Sequence, residues 1–330
     1  MERECKIMNL FEDVKSNYTD YRIPAMVISD GGEIYVAFEC RKDDSDWADM
    51  DIRILKSEDL GTTFTEIKKI CGNGKTINNP VLIAEGERIH FLYCEEYWKV
   101  FHIVSTDGGT MWSEPKEITK IFDDLEHTVI ATGPGHGIVT ADGTLVVPVW
   151  LANNPEDLKS HHPSYLTTLY SKDHGETWNH GERLEEETLI EANETAIACL
   201  SDGSVLLNIR HCHPDIRARY FASSPNGYSD WSYLGLDKRF PDPKCMGSMC
   251  NGGGKLFFSN CESVDDRVNL VLKKSDDDFH TFTSVLVSEK AGYSEVAFWN
   301  DELYVLYETA EQKDGHRINH RLHLKKLSVK

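Results

Sequence analysis

Short apolar runs recur along the chain: IYVAFEC at 34–40, RIHFLYC at 88–94, TLVVPVW at 144–150, SVLLNIR at 204–210, KLFFSN at 255–260 and ELYVLYE at 302–308. They are rich in β-branched and aromatic residues and are separated by turn-forming residues, a pattern of strands. Long stretches with the 3.6-residue spacing of an amphipathic helix are absent. A second pattern, Ser-x-Asp-x-Gly-x-Thr/Met-Trp/Phe, repeats between the runs as SEDLGTTF from Ser57, STDGGTMW from Ser105 and SKDHGETW from Ser171. Two weaker copies follow, SPNGYSDW from Ser224 and SDDDFHTF from Ser275. Both keep the serine and the closing aromatic and read as having lost the glycine, and Asn226 replaces the aspartate in the first. Each copy predicts a tight turn closed by side-chain hydrogen bonds and a positive φ, with the aromatic anchoring the returning strand. The starts are 48, 66, 53 and 51 residues apart. At roughly 50–55 residues per four-stranded blade, that period predicts an all-β fold, a six-bladed β-propeller of four-stranded antiparallel sheets. Closure of the ring removes exposed sheet edges, and residues 1–330 are expected to form a single catalytic domain.

Composition narrows the function classes. A formal net charge of −20 argues against nucleic acid, which requires a basic footprint. It does not exclude a small anion, because screening removes the influence of charges beyond about 8–10 Å and a few converging arginines dominate a cleft. Nine cysteines, Cys5, Cys40, Cys71, Cys94, Cys199, Cys212, Cys245, Cys250 and Cys261, are odd in number and lack a CxxC pair, so reduced and mostly buried thiols are expected. His211, Cys212 and His213 are adjacent, and neighbours on an extended segment point to opposite faces, so no metal site is expected there and no cofactor elsewhere. No run of about 18 apolar residues suggests membrane insertion, and the charged start MERECKIMNLFEDVK is unlike a secretory leader. The chain is therefore expected in the cytoplasm, or outside the cell if a leader has been removed, and nothing in it speaks to oligomeric state.

The remaining motifs carry chemistry. YRIPAMV from Tyr21, FECR with Glu39 and Arg41, SDWADMDI from Ser45, GPGHGIVTADGTLVVPVW from Gly133, NETAIACLSDGSVLLNIR from Asn193, DDRVNLVLKKS from Asp265 and GYSEV from Gly292 occur in that order. Interleaved with the repeats, they resemble the exo-α-sialidase (neuraminidase) family of bacterial and animal-type glycoside hydrolases. The resemblance runs from about Tyr21 to Glu308.

That resemblance implies a role for particular positions. The arginine triad that binds the substrate carboxylate falls on Arg22, Arg210 and Arg267, the acid/base on Asp46, the nucleophile on Tyr293 and its general base on Glu194. Glu39 resembles the carboxylate bracing the first arginine, and Arg41 one that faces the ring substituents. Trp150 stands where the family often has an aromatic near the N-acyl or glycerol groups, usually tyrosine in the animal enzymes, while Trp47 and Ala48 replace a frequent His-Gly. Read from the residues alone, Glu191 competes with Glu194, and Asp43, Asp44 and Asp49 compete with Asp46. GPGHG lacks the lysine and helix of a phosphate loop and reads as a tight inter-strand turn that brings His136 near the cleft. Glu95, Glu96 and Trp98 are candidates for a rim loop.

The implied substrate, a terminal α-linked sialic acid of a glycan or oligosaccharide, bears a carboxylate on its anomeric carbon. Planar guanidinium forks match that group bidentately and keep their charge. A carboxylate nucleophile would meet a like charge at the reacting centre, whereas a neutral phenol assisted by a base avoids it, and a tyrosine nucleophile is the family's departure from the two-carboxylate rule. The arginines are expected at comparable places near the ends of inner strands, and to favour the phenolate of Tyr293. Asp46 is expected to hold its proton when substrate binds, helped by Trp47. Transglycosylation, an intramolecular anhydro product, a related nonulosonic acid as substrate, and a propeller that binds sialoglycans without cleaving them are the alternatives.

Overall fold

The computed structural model describes residues 8–9 (backbone only), 18–313 and 316–329; Cys5 lies outside them. The N-terminal strand β1 (Met8–Asn9) precedes the first blade. That blade comprises β2 (Asp20–Ile28), β3 (Ile34–Arg41), β4 (Met50–Ser57) and β5 (Thr65–Ile70). The second comprises β6 (Ile77–Glu85), β7 (Arg88–Glu95), β8 (Lys99–Ser105) and β9 (Lys116–Glu117), followed by a 3₁₀ turn at Thr119–Phe122. In the third, β10 (Val129–Thr132) leads through β11 (Gly135–His136) and β12 (Ile138–Val139) to β13 (Leu145–Ala152), β14 (Ser164–Ser171) and β15 (Asn179–His180). The fourth comprises β16 (Ala192–Cys199), β17 (Val205–His211), β18 (Ala218–Ser224) and β19 (Ser232–Pro241), and the fifth β20 (Ser248–Gly252), β21 (Lys255–Cys261), β22 (Val268–Ser275) and β23 (Thr283–Lys290). The sixth is β24 (Ser294–Trp299), β25 (Glu302–Lys313) and β26 (His316–Ser328), completed by β1 as its outermost strand, with Met8 opposite Leu324. Pairing the first strand to the last blade closes the ring, so the six-bladed propeller read from the repeats is the fold.

Burial explains the stacking of the blades. Six hydrophobic clusters occupy the six interfaces between neighbouring blades; Phe38 and Met26 of the first meet Tyr304 and Leu306 of the sixth, and Ile209 of the fourth meets Trp150 of the third. Residues on both faces of the inner strands are buried because neighbouring blades cover them on both sides, and each large apolar side chain so enclosed contributes about 1.5–3 kcal/mol. Outermost strands such as β5 and β23 are largely exposed.

The repeats are the turns between third and fourth strands. The Ser57 hydroxyl donates to Asp59 at 2.8 Å and accepts the Gly61 amide at 2.9 Å, while Asp59 accepts the Thr63 amide at 2.8 Å. Ser105, Asp107 and Gly109, and Ser171, Asp173 and Gly175, repeat this bonding. Each turn abuts the preceding blade: a Cβ on Gly61 would lie 2.7 Å from Leu324, one on Gly109 2.7 Å from Ile67, and one on Gly175 2.8 Å from His102. The fourth copy has not lost its glycine. Gly227, one position earlier, donates to Ser224 at 2.9 Å with φ +83°. In the fifth, Phe279 takes the glycine position at φ +63° and its ring packs on Phe240 of the preceding blade, 5.5 Å between centroids. Packing thus offsets the strain of a left-handed aromatic residue.

GPGHG is also more than a turn. After β10 the chain crosses to the second blade, where β11 runs parallel to β6, and returns as β12 to pair with β13. His136 consequently sits on the axis, bonded to Glu295 at 2.5 Å, and Ser248 bonds the same carboxylate.

Candidate active site

The inner strands begin with bulges at one end of the axis. In β2 the register slips between Arg22 and Ala25, in β6 between Asn78 and Val81, and in β16 between Ala192 and Thr195. Ile23 and Asn79, each followed by proline, hold φ of +55° and +54°, a strained state for a β-branched residue. Each bulged amide is bonded by a carboxylate from the second strand of the preceding blade: Ile23 donates to Glu308 and Asn79 to Glu39, both at 2.8 Å. Such bulges re-aim side chains, here Arg22 and Glu194, into the hollow.

Tyr293 precedes β24 in a linker outside any strand, and the three sequence-predicted arginines surround its ring. The guanidinium carbons of Arg267, Arg22 and Arg210 lie 5.0, 5.2 and 6.0 Å from the ring centroid. The Tyr293 hydroxyl donates to Glu194 at 2.5 Å and accepts from Arg210 at 2.9 Å, and Arg210 also pairs with Glu194. The arginines do not occupy equivalent places, contrary to the sequence expectation. Arg22 is on the first strand of its blade, Arg210 on the second, and Arg267 in the loop before the third. Convergence comes from loop and bulge geometry rather than from blade symmetry.

The competing carboxylates are separated by their partners. Glu191 pairs with His162 at 3.4 Å, leaving Glu194 on the tyrosine. Asp43 caps the Ser45 amide and Asp49 pairs with Lys42, while Asp46 meets Arg41 at 2.7 Å and Arg22 at 3.7 Å, its side chain half exposed. Glu39 does not brace Arg22 although the two are cross-strand neighbours. It turns instead to Arg41, at 2.8 Å from Nε, and to the next blade's bulge. Arg22 is braced by Glu308, at 3.5 Å, a residue that sequence reading left out although ELYVLYE ends on it.

Charge states follow from this packing. Burial raises the Tyr293 phenol well above its ordinary value, and Arg210, Arg267 and Arg22 only partly oppose that, with Glu194 adding to the rise. The free phenol is therefore protonated, and the expected phenolate does not form unaided. Burial also works to raise Asp46, but Arg41 and Arg22 outweigh it and hold the carboxyl far below the usual range, so in the unliganded protein Asp46 is ionised rather than protonated. Glu308 is brought to about 2 against burial by Arg22, His320 and the Ile23 amide.

Trp150 is buried, with its indole N–H unpartnered, in a group containing Trp47, Tyr97 and His161. Tyr97 and His161, 4.8 Å apart by centroid, went unread in the sequence, although Tyr97 lies within the rim segment named there. Its neighbours are structural: Glu95 pairs with Lys75, Glu96 accepts the Thr76 amide, and Trp98 packs on His127. His211 is bonded to the Ile190 carbonyl at 2.7 Å. Among the described residues no group of three His, Cys, Asp or Glu is placed to hold a metal. A cavity of about 450 Å³ at the opposite end of the axis has Val27, Ile197, Phe298 and His136 in its mixed polar and apolar wall, and none of the three arginines lines it.

Comparison with known proteins bears on this arrangement. The model of the BNR repeat-like domain family matches residues 69–305. A sialidase of Bacteroides fragilis is 24% identical over 342 residues, covering 89% of this chain and 61% of that protein. Among solved structures, the Hadza microbial sialidase Hz136 superposes with a TM-score of 0.79 at 21% identity, covering 94% of this chain and 66% of the other. The intramolecular trans-sialidase of Ruminococcus gnavus gives 0.77 at 15% identity, covering 98% and 97%. Likeness at these identities shows the shared propeller. The chain spans about three fifths of the Bacteroides relative's length.

Proposed function

The chain belongs to the BNR repeat-like domain family, and from that premise and the geometry of the site we propose that it is an exo-α-sialidase, a glycoside hydrolase that removes terminal α-linked sialic acid with retention through a covalent adduct on Tyr293. The observation that carries the reading is the meeting of three guanidinium groups around one phenol already bonded to a carboxylate. The relatives' own names support a sialylated glycan or oligosaccharide as substrate.

The substrate carboxylate spans Arg22, Arg210 and Arg267, fixing the anomeric carbon beside the Tyr293 hydroxyl. A carboxylate nucleophile in that position would be repelled by the substrate's own charge; the neutral phenol is not. As attack proceeds, Glu194 takes the phenolic proton across the 2.5 Å hydrogen bond. Asp46 begins ionised, and the bound anion competes for Arg22 and adds negative charge nearby, which raises the carboxyl's affinity for a proton. It then protonates the leaving oxygen and, in the second step, removes a proton from the water that attacks the anomeric carbon, while the bond to Tyr293 breaks and Glu194 returns its proton to the phenolic oxygen. Arg41, anchored by Glu39, holds Asp46 in place for both transfers.

Incubation with α2,3- and α2,6-sialyllactose, with products identified by NMR, tests the reading. Free sialic acid and lactose are expected. An anhydro sugar or a transferred sialyl group would change the outcome of the same first step, and unchanged substrate would leave a binding propeller in place of an enzyme.

A further inference from the structure

Two side chains of the proposed site sit on backbone just outside the strands. Tyr293 lies in the linker 291–293 between β23 and β24, and Arg267 ends the loop after β21, of which residues 264–266 are exposed. Both segments are fastened by the sixth blade. Its last hairpin outruns its neighbour: β24 pairs with β25 only as far as Ser294 opposite Tyr307, whereas the β25–β26 ladder continues to Lys313 opposite His316. From this extension Arg317, opposite Gln312, reaches back beneath the site.

One guanidinium bridges the two segments. Arg317 Nη1 donates to the Arg267 carbonyl at 3.2 Å, and Nη2 donates to the Ala291 carbonyl, two residues before the tyrosine. Between these bonds a Cβ on Gly292 would lie 2.8 Å from Glu308 Cβ and 3.4 Å from Arg317 Nη2, so the linker is pressed against both residues. Glu308 supplies the opposite clamp, accepting the Tyr293 amide at 3.3 Å while its own amide donates to the Tyr293 carbonyl at 2.8 Å. Arg317 is half-buried, and burial together with the nearby Arg267 charge lowers its affinity for its proton, so its place costs stability that an uncharged residue would not lose. The planar fork, which sets two carbonyls at a fixed separation, is the property a smaller or uncharged residue lacks.

We infer that Arg317 is a positioning residue of the proposed sialidase site, fixing the Tyr293 linker and the Arg267 loop relative to each other so that nucleophile and carboxylate grip act on one substrate geometry. The inference rests on the function proposed above. It assigns no contact with substrate to Arg317; the residue acts through the two backbone segments.

Steady-state kinetics on a fluorogenic sialoside, beside unfolding midpoints, test it with wild type, Arg317→Lys and Arg317→Met. Wild-type turnover establishes the reaction, and its absence would sink the functional reading independently of Arg317. With turnover present, Arg317→Met is expected to raise KM about five-fold and lower kcat about ten-fold or more, because both the grip and the nucleophile are displaced. Arg317→Lys, keeping the charge and one carbonyl bond, should recover part of each loss. A purely structural role would reduce the active fraction, lowering kcat with KM unmoved, and that result overturns the inference. Should Arg317→Met fail to fold, Arg317→Lys decides: a raised KM at the wild-type unfolding midpoint supports the assignment, and wild-type KM and kcat overturn it.

Discussion

Replacing Glu308 by glutamine removes the one carboxylate that braces Arg22 and also receives the Ile23 and Tyr293 amides. The magnitude can be worked from its charge state. Burial alone would raise the Glu308 carboxyl above its ordinary 4.5, yet Arg22, His320, the Ile23 amide and Arg267 bring it to about 2. A displacement of about 2.5 pH units, at about 1.4 kcal/mol each, makes the ionised carboxylate worth about 3.5 kcal/mol to the folded state. The sign follows from linkage: a carboxyl depressed on folding contributes fully above about pH 4.5, and the contribution fades as pH falls toward 2. Glu308→Gln should therefore lose about 3.5 kcal/mol in urea denaturation at pH 7, within the range for breaking a buried ion pair, although Asp46 still faces Arg22 at 3.7 Å. The gap from wild type should narrow steadily below pH 4.5. A loss under about 1 kcal/mol at pH 7, or a gap that stays constant between pH 5 and 2.5, would refute the reasoning.

Three further outcomes follow from other parts of the molecule. Asp46→Ala should reduce turnover of sialyllactose by about 10²–10⁴-fold but that of an aryl sialoside far less, since a phenolate leaves without a proton; equal losses on both would contradict its role as acid. Gly175→Ala places a Cβ 2.8 Å from His102 on a residue at φ +82°, and should destabilise the protein by about 1–3 kcal/mol in urea, more than Gly143→Ala, which shares the positive φ at +83° but meets no neighbouring atom. The buried pair His90 and His102, 3.1 Å apart, is depressed by burial, His102 to about 3, so the unfolded chain binds protons that the folded one refuses. Thermal midpoints should accordingly fall as pH drops below about 6.5, and His102→Gln should flatten that slope.

What the sequence disclosed, and what it withheld, divides along the range of the interactions. The repeats are local, so blade number and turn position could be read from Ser57, Ser105 and Ser171 and their following Asp and Gly. The fourth copy misled because Gly227 sits one residue early; the fifth was read correctly as lacking the glycine, and Phe279 meets by packing a requirement that glycine meets by lacking a side chain. Closure by β1 gave no pattern at all, since two residues carry too little periodicity. In the site, Arg22, Arg210, Arg267, Glu194 and Tyr293 lie in recognisable strings and the structure brings them together. Glu308 and Arg317 do not declare themselves, because their meaning lies in contacts between neighbouring blades that are distant in sequence: Glu308 is 286 residues from the arginine it braces. Glu39 illustrates the converse. The family resemblance suggested that it braces Arg22, and the two are cross-strand neighbours, but Arg41 two residues on captures the carboxylate.

The central claim is that a phenol, helped by Glu194, displaces the leaving sugar while three guanidinium groups hold the anomeric carboxylate. The anomeric form of the first sialic acid released, followed by proton NMR before mutarotation, addresses it most directly. Two displacements at Tyr293 predict the α anomer at the earliest times; release of the β anomer would mean that water attacks the substrate directly, and would remove the tyrosine from its role.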